Sequence, residues 1–169
     1  MENLRSGLKH FILKQVVFRL DYEGILDADI EKCVMELRQK IFDAGFDKMS
    51  NRLESESDFQ NWKNVNMPDE AYTKNIVYSF SSEQKEILEL SKSFLTLSVD
   101  AANGYTSFDK YTALLAEVIE KIKGKSPYFH TLRIGLRKIN ICYLEDLRFV
   151  ENYFTSAAFN TKEILSQFK

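Results

Sequence analysis

The stretch at residues 11–22 reads Phe-Ile-Leu-Lys-Gln-Val-Val-Phe-Arg-Leu-Asp-Tyr. Apolar and polar residues alternate along most of it, which is the period-two pattern of a strand with one buried face. The residues expected on the buried side are Ile12, Val16, Phe18, Leu20 and Tyr22. The opposite side includes Arg19 and Asp21. This pattern predicts a half-buried strand in a sheet with one partly open, polar face.

Two helices are predicted from apolar residues that recur at helical spacing. The first, over about 29–44, follows a turn at Gly24, can be capped by Asp27 or Asp29, and ends at Gly45. Its apolar residues are Ile30, Cys33, Val34, Leu37, Ile41 and Phe42. The second, over about 107–123, is capped by Ser107, ends at Gly124, and carries Phe108, Tyr111, Leu114, Leu115, Val118, Ile119 and Ile122.

The remaining strands come from shorter alternating segments. Met49 and Leu53 hint at one strand, a meander is predicted at about 74–81, 85–91 and 94–100, and a long strand at about 128–143. The fold class is therefore α+β: a twisted, mainly antiparallel sheet of about six strands with two long helices packed on one face. The predicted order is β-α-β-β-β-β-α-β, followed by short C-terminal helices. We expect residues 1–169 to form a single domain with two similar strand-helix-strand halves.

Composition limits the functional classes. The chain has 169 residues, 44% of them hydrophobic, and a formal net charge of −2, so it can build a core but lacks the global basic field of a non-specific nucleic-acid binder. No apolar run approaches the roughly 18 residues of a membrane span, and the first residues show no signal-peptide pattern. We expect a cytoplasmic protein with Cys33 and Cys142 as packing residues, and the dispersed glycines predict no nucleotide cofactor.

Three segments resemble a known family. They are Phe94-Leu95-Thr96-Leu97, Gly104-Tyr105-Thr106-Ser107-Phe108 and Leu132-Arg133-Ile134-Gly135-Leu136-Arg137-Lys138-Ile139-Asn140. Over residues 78–154 the chain is similar to a sporadically distributed conserved hypothetical family of bacteria and archaea, in which an aromatic residue is usual at the position of Lys138. The resemblance implies a fold and no established activity. The family's patchy distribution suggests a defence, counter-defence or toxin-neutralising setting.

The last predicted strand carries the sharpest candidate site. Arg133 and Arg137 lie on one face roughly 13 Å apart, at about 3.3 Å per residue, with Gly135 leaving a gap between them. The nearby cations Lys121, Lys123, Lys125 and Lys138 extend this basic region, which has no Asp or Glu from residue 121 to 144. It predicts binding of a carboxylate- or phosphate-bearing partner. The alternative is that the lysines complement a helix C-terminus and the arginines pair with acidic residues on neighbouring strands, which we favour.

Other candidate constellations are weaker. Asp69 with Glu83-Gln84-Lys85 matches a nuclease pattern, but a strand at 74–81 would hold the two acids some 30 Å apart at about 3.3 Å per residue. Alternation of Glu54, Glu56 and Asp58 is more typical of a solvated edge than of a metal site. Neither His10 nor His130 has an evident catalytic partner in sequence, so we expect no metal site and no catalytic group.

The C-terminal tail is rich in aromatic residues. Phe149, Tyr153, Phe154, Phe159 and Phe168 either form an interface, such as one between copies of the chain, or close the sheet of their own domain. The leading hypothesis is a non-enzymatic module that binds another macromolecule, and a protein is the expected partner. The alternatives are an enzyme or binder acting on nucleic acid or a phosphorylated ligand through residues 121–138, and a structural subunit of a larger complex.

Overall fold

A computed structural model describes residues 13–56, 73–101, 105 and 107–141 of the chain. The strands are β1 (Leu13–Glu23), β2 (Lys48–Glu56), β3 (Thr73–Ser81), β4 (Glu86–Leu90), β5 (Phe94–Asp100) and β6 (His130–Asn140), and the helices are α1 (Asp27–Asp43) and α2 (Asp109–Lys123). The predicted order of strands and helices is confirmed. The predicted short helices after β6 lie outside the described residues.

The six strands form one open antiparallel sheet in the spatial order β2-β3-β4-β5-β1-β6. The predicted meander is confirmed, since β3, β4 and β5 pair as successive neighbours, with Phe80 opposite Leu88 and Leu88 opposite Leu97. Because each neighbour reverses direction, β1 runs parallel to β2 and β5 runs parallel to β6. Each helix therefore links two parallel strands that are not neighbours, and β2 and β6 lie at the two edges.

Both helices pack on the same face of the sheet, which we call the helix face. The buried side chains of α1 are Ile30, Cys33, Val34, Leu37 and Ile41, and those of α2 are Tyr111, Leu114, Leu115, Val118 and Ile122. They form one cluster with Phe18, Leu20, Leu88, Leu95 and Leu97 of the central strands. Burial of these apolar side chains is the main stabilising contribution to the fold. The prediction that Phe42 joins this stripe is wrong, because its side chain is exposed, one step around α1 from the buried Ile41.

The helix ends are set by local hydrogen bonds. The Leu26 N–H donates to Asp29 Oδ2 at 3.2 Å, so Asp29 caps the start of α1 from inside its first turn. Ser107 Oγ accepts the Asp109 N–H at 3.2 Å at the start of α2. Gly45, which follows α1, has φ +101°, a conformation that favours glycine.

Gly24 lies where the end of β1 meets the loop that leads into β6. Its φ is +82°, and a Cβ built on it would lie 1.9 Å from the carbonyl oxygen of Tyr128. Next to it, the rings of Tyr22 and Phe129 pack with their centroids 5.3 Å apart. A glycine is required here because two backbone segments cross too closely for any side chain.

The chain divides into two compact units, Met1–Ile139 and Asn140–Lys169, and only residues 140 and 141 of the second are described. The single domain over residues 1–169 therefore stays a prediction. Within the described ranges, no helix is both long and apolar enough to cross a membrane.

Candidate interaction site on the edge strand

The side chains opposite the helices form a second surface, which we call the polar face. It carries Arg52 of β2, Glu89 of β4, Thr96 of β5, and Arg19 and Asp21 of β1. The registers place Glu89 opposite Thr96 and Thr96 opposite Arg19. This alternation in sequence is what leaves one sheet face polar, as the pattern at residues 11–22 predicts.

Charges on the β2 side of the polar face satisfy one another. Arg52 Nη1 donates to Glu89 Oε1 at 2.5 Å, and Arg52 Nη2 donates to Glu54 Oε1 at 2.6 Å. Both hydrogen bonds raise the pKa of the Arg52 guanidinium, and the bond to Glu89 contributes most. Thr96 Oγ1 donates to the other oxygen of Glu89 at 3.4 Å. The charge of Arg52 is therefore neutralised by carboxylates of its own sheet.

Asp21 organises the β6 side of the same face. Its Oδ1 accepts a hydrogen bond from Arg19 Nε at 2.6 Å, and its Oδ2 accepts one from Arg133 Nε at 2.7 Å. The guanidinium of Arg19 also lies 4.7 Å from the ring centroid of Phe94. One carboxylate thus holds two arginines from neighbouring strands, which supports the predicted pairing for Arg133.

Strand β6 is exposed along nearly its whole length. Because Arg133 reaches Asp21 on the polar face, strand alternation places Leu132, Ile134 and Leu136 on the helix side. Those three apolar side chains are 58%, 66% and 49% exposed. The second edge strand, β2, also presents apolar side chains, with Met49 51% and Leu53 67% exposed. The predicted long strand at 128–143 is shorter than expected, since Tyr128 lies in the turn before it.

Arg137 and Gly135 share the polar face with Arg133. Within the described part of the chain, Arg137 makes no ion pair, so the predicted pairing with neighbouring acids does not extend to it. Gly135 has no positive φ, and a Cβ built on it would meet nothing within 4 Å. Neither backbone conformation nor packing against the described residues requires a glycine at this position.

The lysines of the predicted basic region lie elsewhere. Lys125 Nζ donates to Glu36 Oε1 at 2.6 Å and Lys121 Nζ to Glu36 Oε2 at 3.4 Å, so both bind helix α1. The hydrogen bond from Lys125 is the largest cause that lowers the pKa of Glu36. Lys123 pairs with Glu120 of its own helix at 3.7 Å. These three lysines belong to the layer of helices, whereas Arg133 and Arg137 project from the opposite face, and Lys138 is exposed near the end of β6.

A buried polar cluster, missed by the sequence patterns, ties the start of β4 to α2. Glu86 accepts hydrogen bonds from Lys110 Nζ at 2.6 Å, Tyr111 Oη at 2.5 Å and Ser82 Oγ at 3.0 Å. Burial raises the pKa of a carboxyl group, but here these bonds and the Lys110 charge outweigh it and hold the pKa of Glu86 below its ordinary value. Burial, with the Glu86 carboxylate, raises the pKa of Tyr111 to about 12. With every oxygen bonded internally, the cluster is a structural anchor.

The nuclease and metal candidates do not converge in the described structure. Strand β3 is formed as predicted, and Glu83 and Lys85 lie exposed in the turn after it, while Asp69 lies outside the described residues. Glu54 lies on an edge strand, as predicted. Glu56 lies on the same strand, and nothing is described for its side chain or for Asp58. Within ranges 13–56, 73–101, 105 and 107–141, no group of three or more His, Cys, Asp or Glu could hold a metal ion.

The remaining candidates are placed as follows. Cys33 is a buried free thiol on the apolar stripe of α1, as predicted, and burial is the main cause that raises its pKa to about 11. His130 is exposed at the start of β6. His10, Cys142 and the predicted interface residues Phe149, Tyr153, Phe154, Phe159 and Phe168 lie outside the described residues.

Sequence reasoning missed two partners, Asp21 for Arg133 and Glu89 for Arg52. Both acids sit at polar positions of alternating strands, so a weak signal existed. Which strands are neighbours was not readable, because β6 follows α2 in sequence but pairs with β1 in space.

Comparison with protein-family models, with curated proteins and with solved structures finds no match for this chain. The family resemblance over residues 78–154 stays a prediction.

Proposed function

We propose that this chain is a non-enzymatic interaction module that binds another protein by accepting an extended, acidic strand at the β6 edge. The single observation that carries the proposal is Gly135, a glycine in the middle of an exposed edge strand with no conformational or packing reason within the described chain. Glycine in a strand weakens it and often marks the close approach of another backbone. Such a position is expected where a partner strand must fit.

The side chains of β6 indicate the chemistry of the partner. Arg137 has no counter-charge among the described residues, and Arg133 shares a single carboxylate with Arg19. Strand addition gives affinity through main-chain hydrogen bonds and specificity through alternating side chains. A partner with carboxylates toward the polar face and apolar residues toward the helix side would match both sides of β6.

Charge also argues against two β6 strands pairing with each other. The strand carries Arg133, Arg137 and Lys138 and contains no Asp or Glu. Pairing it with itself would bring like charges together, which is destabilising across strands. An acidic segment has no such cost.

The proposal is tested with labelled peptides about ten residues long, the length of a typical strand. One alternates valine and glutamate, and its control alternates valine and lysine. We expect anisotropy to report binding of the glutamate peptide only, with amide exchange slowed within residues 130–140. Equal binding of both peptides, or protection outside β6, would contradict the proposal.

Variants at Gly135 separate binding from stability. Gly135→Val should raise the melting temperature, because valine favours strands, and should abolish peptide binding by filling the gap. Arg133→Ala combined with Arg137→Ala should weaken binding by about 2–30-fold, which corresponds to roughly 0.2–1 kcal/mol for each exposed pair. Lys32→Ala combined with Arg38→Ala, two exposed cations of α1, is the matched control and should leave peptide binding unchanged.

A labelled single-stranded oligonucleotide addresses the alternative of a nucleic-acid or phosphorylated ligand. If the oligonucleotide binds and the glutamate peptide does not, that alternative replaces the protein partner. The family resemblance extends the proposal to a defence, counter-defence or toxin-neutralising setting. A toxin, nuclease or restriction gene beside this one would support that setting.

A further inference from the structure

The two edges of the sheet complement each other. On the helix side, β2 exposes Met49 and Leu53, and β6 exposes Leu132, Ile134 and Leu136. On the polar face, Arg52 is bonded to both Glu54 and Glu89, whereas Asp21 is bonded to both Arg19 and Arg133, and Arg137 lies on the same face. The acidic end of one edge and the basic surface of the other therefore belong to the same face.

Resting on the proposed function, we propose that the strand accepted by β6 is β2 of a second copy of this chain, so that copies join edge to edge. Strands β2 and β6 run in opposite directions within one sheet. When the sheet continues into a second copy with the same face covered by helices, β6 meets the second β2 as an antiparallel neighbour. Apolar side chains then meet on the helix side and charged ones on the polar face.

Charges select one register for this pairing. With Leu53 opposite Ile134, Leu53 also lies diagonal to Leu132 and Leu136, and Glu54 lies opposite Arg133. In the same register Arg52 lies opposite Gly135, where a Cβ would meet nothing within 4 Å and space is open. Shifting by two residues, the smallest shift that keeps the faces, places Arg52 opposite Arg133 or Arg137. Direct opposition of like charges is unfavourable, so Gly135 marks the register.

This contact is heterologous, because two different edges of the chain meet. In the sheet that the described residues form, each copy has β2 at one edge and β6 at the other, so assembly continues to a ring or an open filament. Sheet edges with long apolar strands are the usual sites of such association.

The experiment uses two blocking variants of the full chain, Leu53→Lys on β2 and Ile134→Lys on β6. Both side chains are mostly exposed, so the fold should be kept, which circular dichroism and thermal unfolding check. Light scattering from about 1 µM to about 1 mM should show concentration-dependent growth of the unchanged chain, with each variant associating at least about tenfold more weakly. Met35→Lys, at a 56% exposed apolar residue of α1, is the matched control and should associate like the unchanged chain.

Mixing the two variants is the decisive step. Leu53→Lys keeps β6 and Ile134→Lys keeps β2, so the mixture should form a complex of two chains that grows no further. Dimers of Leu53→Lys alone would instead show β6 pairing with itself and would overturn the inference. Growth of either variant beyond a monomer through any other surface would overturn it as well.

Binding of the glutamate peptide distinguishes failure of this inference from failure of the proposed function. If the unchanged chain stays monomeric while Leu53→Lys still binds the peptide at β6, the second copy is rejected and the proposed function stands. If the chain stays monomeric and no peptide binds, both are rejected. Rescue of association by mixing Glu54→Arg with Arg133→Glu, where each alone is impaired, supports the register.

Discussion

Strands β2 and β6 lie at opposite edges of one sheet, and they differ in how their charges are held. Arg52 of β2 is bonded to two carboxylates, one on its own strand and one on β4. On β6, Arg133 shares Asp21 with Arg19, and Arg137 has no ion pair within the described residues. Both edges expose apolar side chains, so exposure alone does not distinguish them.

The difference shows that the basic character of an edge depends on its neighbours as much as on its own residues. β2 has two cations, Lys48 and Arg52, yet Arg52 is neutralised by Glu54 and Glu89. β6 has three cations, and its neighbour β1 supplies one carboxylate, Asp21, to its arginines. Charge complementarity between edges therefore arises from strand order.

The largest effect is expected at Gly24, which contacts the loop that precedes β6. Gly24→Ala should lower the free energy of unfolding by about 2–4 kcal/mol, since a Cβ would lie 1.9 Å from the Tyr128 carbonyl oxygen and φ is +82°. Gly45→Ala is the control, because its φ is +101° but its Cβ would meet nothing within 4 Å. Equal losses in urea unfolding would mean that the crossing at Tyr128 contributes nothing.

The second change acts on β4, which lies between the two edge strands. It tests whether a buried charge contributes more to stability than the exposed charges of β2 and β6. Glu86→Gln should cost about 1–3 kcal/mol at neutral pH, because it weakens bonds from Lys110, Tyr111 and Ser82. The pKa of Glu86 is lowered on folding, so its stabilisation is present above the unfolded pKa of about 4.3 and is lost as pH falls through the lower folded value.

Melting temperatures between acid and neutral pH measure this effect. The substituted chain should lose less stability on acidification than the unchanged chain. Tyr111 titrates in the opposite direction: its pKa is raised to about 12, so its contribution is present below the unfolded value of about 10 and is lost as pH rises through about 12. Glu83→Gln, exposed in the same turn, is the control, and an equal effect there would remove the role of the cluster.

The third change sharpens the contrast between the edges by placing an alanine on each. Gly135→Ala on β6 should stabilise the isolated fold by about 0.5–1 kcal/mol, since the position is an unstrained strand with open space. Ser50→Ala, exposed on β2, should change stability by less than about 0.5 kcal/mol. A loss of stability at Gly135 would show that an intramolecular contact requires the glycine.

The smallest effect compares the two arginines. Arg52→Ala and Arg133→Ala should each cost about 0.2–1 kcal/mol, because both side chains are partly exposed and water screens their ion pairs. The loss should be larger for Arg52, which has two carboxylate partners. Double-mutant cycles with Glu89→Ala and Asp21→Ala measure the pair energies, and high salt should reduce both. A larger coupling for Arg133 would reverse the contrast.

Much of the fold was predictable from local patterns. The apolar residues alternate in β1 and in β3 to β5, and they recur at helical spacing in α1 and α2. This spacing identifies the buried face of each strand or helix from residues that are close in sequence. Phe42 was misassigned because a residue at the margin of a helical stripe is buried only if the next layer reaches it. The Glu86 cluster was missed because Glu86 and its partner Tyr111 lie 25 residues apart in sequence.

For the candidate site, the sequence by itself determined a strand with two arginines on one face, a glycine between them and apolar residues on the other. It also determined that no acid lies on that strand. Only the tertiary structure decided that β6 is an edge strand beside β1, that Asp21 takes Arg133 while Arg137 keeps its charge unpaired among described residues, and that Lys121 and Lys125 bind α1 instead. The physical reason is that residue type and spacing fix which face a side chain occupies, whereas strand order, which depends on packing of the whole sheet against its helices, fixes which charges become neighbours.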